Sequence, residues 1–215
     1  MTLDYKGILA AILLGIGIFF FGKDQGLYFL ALMLWFLLLS GVVTAIGKHR
    51  KQAMGVYEKY RSWNNVAANG VVPLFIAFLY YIAPSSLPAS ALILAYVASV
   101  AAITADKFSS EIGVLGVKPV MLMTLKHVRQ GTSGGVTAFG IAAGILGSVL
   151  IGVTMAPMTN YGVLLVVVMV AGFVGNIIDS ILGYFEEQGI GNKFSSNFLC
   201  SLAGGAVGLV LLLVI

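Results

Sequence analysis

Apolar runs broken by short polar stretches make up most of this chain. A helix needs roughly 17–25 apolar residues to cross a ~30 Å hydrocarbon core. Seven runs approach or meet that length, at about Gly7–Gly22, Leu27–Ile46, Val66–Ile82, Ala89–Ala105, Gly135–Val153, Gly162–Ile178 and Phe198–Ile215. A tight turn, Lys23-Asp24-Gln25-Gly26, joins the first two. Uncharged turns at Ala83–Pro88 and around Met155, Pro157 and Asn160 join the third to the fourth and the fifth to the sixth. Three longer polar segments remain, residues 47–65, 106–134 and 179–197. The pattern predicts an all-α fold, a polytopic transmembrane helical bundle of about seven spans forming a single domain over residues 1–215.

Composition points the same way. The chain is 60% hydrophobic and 9% charged, with a mean hydropathy of +1.03, against about 25% charged residues in soluble domains. Lys and Arg then set the orientation, because they gather on the cytoplasmic side. With the N-terminus in the cytoplasm, all 12 of them except Lys23 fall on that side. The C-terminus is then outside, and the acids other than Asp24 are also cytoplasmic. The single cysteine, Cys200, leaves no intramolecular disulfide. His49 and His127 make no HxxxH or HExxH pattern, which argues against zinc. No cleaved signal peptide is expected, since Gly7–Gly22 lacks a small-residue cleavage site after it. Gly140-xxx-Gly144 and Gly204-xxx-Gly208 carry the small-residue spacing of close helix packing.

The polar residues that remain are few enough to weigh one at a time. Asp106 and Asp179 each end a span, with Ser109 and Ser110 beside one and Ser180 beside the other. An ionisable group costs roughly 2.5–3.5 kcal/mol at a span's centre and less near its ends, so solvated helix ends are the plain alternative. Yet Asp106, Glu111 and Asp179 are three of only 8 acids, and Mg²⁺ needs one or two carboxylates plus substrate phosphate oxygens. On a straight helix Asp106 and Glu111 point about 140° apart. Both reach one site only if the helix ends or bends near Ser109-Ser110.

Gly131-Thr132-Ser133-Gly134-Gly135 is expected to open the fifth span. A helix N-terminus offers free N–H groups and a positive dipole end to an anion. Thr132 or Ser133 could equally be an ordinary cap. Lys126 and Arg129, on one face of a helix if that segment is helical, favour the phosphate reading, and Lys118 adds a third base nearby. Between Pro119 and Gln130 apolar and basic residues mix as in a short interfacial helix, an anchor to headgroups or a support for a lipid chain. Arg61, Asn65 and Asn69 open the third span, and Asn192 and Asn197 flank the start of the last. Lys48, Arg50 and Lys51 are assigned to topology and anionic lipid.

Taken together these motifs resemble a known family. R-x-x-x-x-x-x-A-N-G (Arg61–Gly70), A-D-x-x-x-S-E-I-G (Ala105–Gly113), V-x-x-G-T-x-G-G-V-T (Val128–Thr137) and D-S-x-L-G (Asp179–Gly183) are similar to those of the integral-membrane phytyl-phosphate kinase family, as is Asn197–Leu202. The resemblance runs from about Arg61 to the C-terminus. It implies phosphoryl transfer from a nucleoside triphosphate, CTP or else ATP, to a prenyl monophosphate lipid in the membrane, with Mg²⁺ as cofactor. It carries the acidic site to Asp106, Glu111 and Asp179, the phosphate turn to Gly131–Gly135, and support to Arg61 and Asn69. Lys107 stands where the family pattern has a hydroxyl residue, usually Thr, a change that either removes a metal-shell oxygen or adds a phosphate contact. Tyr184-Phe185 replaces a small pair.

Phosphoryl transfer is mostly positioning and charge neutralisation, which suits so sparse a set of polar groups. The expected partners are thus the nucleotide, the lipid and surrounding membrane lipids, with no nucleic acid, and a homodimer is compatible. Three other readings remain at this point: a CTP-dependent transferase on another lipid alcohol or phosphate, a cation- or proton-coupled transporter, and a non-catalytic membrane scaffold whose polar loops would be dispensable. Transport would place acids near the bilayer midplane.

Overall fold

In a computed structural model the chain is described over residues 2–57, 60–83, 88–157 and 160–214, with the side chains of Thr2, Tyr60, Arg61 and Leu213 left out. The side chain of Arg61, named above as a site residue, is therefore outside the description, as are Glu58 and Lys59 of the first polar segment and most of the Ala83–Pro88 turn.

The fold is an all-α polytopic bundle. Its helices are α1 (Tyr5–Phe21), α2 (Gly26–Ala45), α3 (Lys48–Ala53), α4 (Trp63–Ile82), α5 (Ala89–Gly113), α6 (Ala138–Gly152), α7 (Tyr161–Glu186) and α8 (Lys193–Val214). Among the described residues six apolar helices are long enough to span a membrane, and α1 is a shorter apolar helix. Outward-facing Leu, Ile and Phe on α1 and α2, such as Leu13 and Leu34, are what a lipid-facing surface requires. Asp4 starts α1 by accepting a hydrogen bond from the Gly7 amide at 2.6 Å.

At the centre stands α5, packed by α2, α4, α6, α7 and α8. The outer helices can press so close because they present glycine where α5 presents small residues. A Cβ on Gly204 or Gly208 would collide with Ala102 or Ala98, and one on Gly144 or Gly147 would meet the α5 backbone at Ala105 or Thr104. The Gly140/Gly144 and Gly204/Gly208 spacings are packing seams, as the sequence suggests.

Two spans run further than hydropathy indicates. The helix that begins at Ala89 continues to Gly113, and the one that begins at Tyr161 continues to Glu186. Asp106 and Asp179 therefore sit inside helices, each about two turns before the end, and do not terminate them. The Pro119–Gln130 segment is not an interfacial helix. Its Val120–Met121 is a short strand, β1, paired antiparallel with β2, Gly135–Val136, and a turn at Leu125 (φ +55°) breaks any helix. The strand pairing also displaces the start of α6. Thr137, not Thr132 or Ser133, is its cap, accepting from the Gly140 amide at 3.1 Å. Gly131–Gly135 is thus a turn leading into a strand, and the helix-dipole argument does not apply to it.

Candidate functional site

A cavity of about 400 Å³ lies at the polar end of the bundle, where α4 and α8 begin and α5 and α7 end. Its wall draws on five helices and the 114–137 loop. Helical spacing explains which residues reach it. Along α5 Asp106, Ser109, Ser110 and Gly113 fall at i, i+3, i+4 and i+7, one face of a helix. Along α7 Asn176, Asp179, Ser180 and Gly183 repeat that spacing. All of these except Gly183 line the cavity. Asn65 with Asn69 on α4, and Lys193 with Asn197 on α8, each add a pair four apart.

The two aspartates meet. Asp106 and Asp179 are 7% and 6% exposed, and their carboxyls lie against one another between α5 and α7. Lys193 reaches Asp179 Oδ2 at 3.1 Å. Around them Asn69 Nδ2 donates to the Asn65 carbonyl at 2.7 Å, and Asn197 Nδ2 to Asn69 Oδ1 at 3.5 Å. The Asn197 Oδ1 atom is buried and accepts no hydrogen bond among the described residues. Adjacent carboxylates plus an amide oxygen wanting a donor form an oxygen-rich set that fits a hard cation such as Mg²⁺.

Glu111 also lines the cavity, but it faces other partners, for the reason the helical wheel gives. Because α5 stays helical to Gly113, Glu111 turns away from Asp106. It pairs with Lys51 Nζ at 2.6 Å, accepts from Thr44 Oγ1 at 2.8 Å, and is in contact with Lys107 one turn before it. Among the described residues no group of three His, Cys, Asp or Glu side chains comes together. Lys51 itself is 1% exposed and also donates to the last carbonyls of α2, at Val43 and Thr44. It is a buried helix-end cation, not a surface charge reading the membrane's sidedness.

The glycine turn closes the site from above by docking on α7. Gly131 and Gly134 have φ of +86° and +75°, the left-handed region that glycine occupies freely. A Cβ on Gly134 would lie 2.5 Å from the Ser180 carbonyl, and one on Gly183 would lie 2.7 Å from the Gly134 Cα. The G-T-S-G-G and D-S-x-L-G motifs are thus two halves of one backbone contact. Ser133 adds side-chain ties. Its amide donates to Glu187 at 2.7 Å and its hydroxyl to Glu186 at 2.7 Å, while Ser196 donates to Glu186 from α8. Replacing Gly183 by Ala should cost about 1–3 kcal/mol through overpacking, read as lowered thermal stability in detergent. An unchanged melting temperature would contradict the docking.

Of the other residues singled out in the sequence, Lys107, Ser110, Thr132, Gly135 and Ser180 line the cavity, while Lys118, Lys126 and Arg129 are exposed and away from its wall, and Asn192 caps α8 instead. Sequence reasoning passed over Asn176, Glu186 and Gln130 in the wall and set Lys51 aside. Asn176 was findable, three residues before Asp179 on its face. Lys193 and Asn197 carried the same signal, four apart.

What this arrangement defines first is a class: a helical membrane protein whose acid- and base-lined cavity is assembled between spans. The chain belongs to the family described as integral membrane protein DUF92, whose model matches residues 1–204. It is 34% identical over 213 residues to the uncharacterized membrane protein MJ0933 of Methanocaldococcus jannaschii, covering 97% of this chain and 85% of that one. It is 30% identical over 208 residues to Protein PGR of Arabidopsis thaliana, covering 85% and 71%. No solved structure matches the chain.

Proposed function

We propose that the protein is a membrane-embedded kinase that transfers a phosphoryl group from a nucleoside triphosphate, CTP by the motif resemblance, to a prenyl monophosphate. The observation that carries this reading is the touching pair Asp106 and Asp179, with Lys107 and Lys193 in the same cavity wall under a glycine turn. An acceptor that is already a phosphate needs no strong general base, and among the described residues no histidine lines the cavity. The lysine and arginine bias supports an opening to the cytoplasm, where nucleotides are.

In the proposed reaction an ionised oxygen of the lipid monophosphate attacks the γ-phosphorus. A new O–P bond forms, the bond from γ-phosphorus to the bridging oxygen breaks, and its electron pair leaves on the nucleoside diphosphate. No proton need move. Asp106 and Asp179, with Asn197 Oδ1 nearby, would hold Mg²⁺, which when bound supplies charge neutralisation to the phosphates. Lys107 and Lys193 would meet phosphate oxygens, and the ammonium of Lys193 already balances the acid pair. Glu111 acts through Lys107 and Lys51 and is a positioning residue, not a metal ligand. Lys118, Lys126 and Arg129, exposed outside the cavity lining, would steer anions to the entrance.

The testing experiment is direct. Purified protein given labelled CTP or ATP, Mg²⁺ and geranylgeranyl phosphate should yield the diphosphate. No product with either nucleotide would sink the kinase reading.

A further inference from the structure

Among the described residues four acids line the cavity, and Glu186 is the one with no place in the proposed reaction. It follows Asp179 by seven residues, two turns along the same face of α7 and about 10 Å nearer the helix end. Hydrogen-bond donors meet it there. The Ser133 hydroxyl, from the glycine turn, donates to Oε2 at 2.7 Å, and the Ser196 hydroxyl, from α8, donates to Oε1. Lys193, one turn before Ser196, brings its ammonium within electrostatic reach. Ser133, Glu186 and Lys193 all line the cavity. Two hydroxyls from separate elements, one on each carboxylate oxygen, with an ammonium nearby make the donor set of an oxyanion site. Here the chain fills that set with its own side chain.

We infer that Glu186 is a tethered competitor in a polyphosphate subsite made by Ser133, Ser196 and Lys193. In the free protein its carboxylate takes the two hydroxyls, and a phosphate group of the donor takes them when the carboxylate leaves. Both cannot be there at once, because they use the same donors and carry the same sign of charge. The turn does not depend on Glu186 alone to stay docked, since the Ser133 amide is held separately by Glu187. A short tether gives the carboxylate a high local concentration, so a lone phosphate displaces it poorly. A polyphosphate reaches further, with one end towards the acid pair and the other at Glu186, and so displaces it better. The consequence is selectivity: a lipid monophosphate is kept out of the donor's place in a protein that must bind two phosphates. This deepens the kinase reading and rests on it for the identity of the ligand.

The test measures binding of pyrophosphate with Mg²⁺ to the purified full chain in detergent, without lipid acceptor. Glu186→Ala vacates the subsite and should tighten pyrophosphate about tenfold, the gain expected where the open site is populated about a tenth of the time. It does not orphan Ser196, whose hydroxyl can turn to the Asn192 and Lys193 carbonyls, each 3.5 Å away. If Glu186→Ala does not fold, Glu186→Gln drops the charge alone and should tighten binding about threefold. In a background carrying Ser133→Ala and Ser196→Ala, which removes both shared donors, the same change should gain at most about twofold. Unchanged or weaker binding in the variant that folds overturns the competitor. A gain that persists undiminished without the two serines overturns it too, because repulsion at a distance would then be its cause. Turnover of CTP or ATP by the wild type with no gain in the variant removes the competitor and keeps the kinase. A serine-dependent gain without turnover of either nucleotide does the reverse.

Discussion

In the purified protein, Asp179→Asn is expected to lower phosphoryl transfer about a thousandfold, the size of loss seen when one preorganised electrostatic group is taken from a transition state. The fold should survive. Asn keeps the shape and still accepts from Lys193, which is 48% exposed and can hydrate its own charge. Removing one of two touching carboxyls also relieves repulsion, so thermal stability should hold or rise. That split between activity and stability separates a catalytic role from a structural one. Asp106→Asn should behave the same way. Retention of turnover within about tenfold in either variant would refute the assignment of the pair.

The second large effect concerns stability. Glu111→Leu should destabilise the protein by about 3–5 kcal/mol, because it leaves the Lys51 ammonium, 1% exposed, with the Val43 and Thr44 carbonyls as its partners among the described residues. Adding Lys51→Met should return most of that loss, since a buried ion pair is often replaceable by apolar residues of similar volume. Unfolding in detergent would measure both. A cost below about 1 kcal/mol for Glu111→Leu would mean that the ion pair is solvated.

Asp106→Asn and Glu111→Leu act on residues five apart on one helix with opposite consequences, and the sequence already holds the reason. Asp106 and Glu111 five residues apart can share a site only if the helix breaks, and α5 does not break. The spans were legible because lipid demands long apolar runs. Their ends at Asp106 and Asp179 were not, because hydropathy registers a carboxylate as a stop while a helix inside a bundle carries it onward against a partner. Lys51 was hidden for a related reason. In Lys48-His49-Arg50-Lys51 nothing local marks which base turns inward; that depends on Glu111, 60 residues away. The Pro119–Gln130 segment misleads in another way. Its mixture of apolar and basic residues fits a helix, but the pairing of Val120 with Val136 decides for a strand. By contrast Gly131–Gly135 and Asp179–Gly183 stood out in the sequence, though not that each glycine motif exists to admit the other's backbone.

The shielding of α5 has a consequence for how the chain can change over time. Its residues Tyr96–Ala102 are buried without exception, and glycines of three neighbours press on its alanines and backbone. A methyl group added almost anywhere on it must be accommodated by several helices at once, so drift along this stretch should be slow and correlated with changes at the facing glycines. On α1 a Leu may become Ile or Phe and meet only acyl chains. Random mutagenesis of the whole chain should therefore find few tolerated substitutions along α5 and many on the outer faces of α1 and α2.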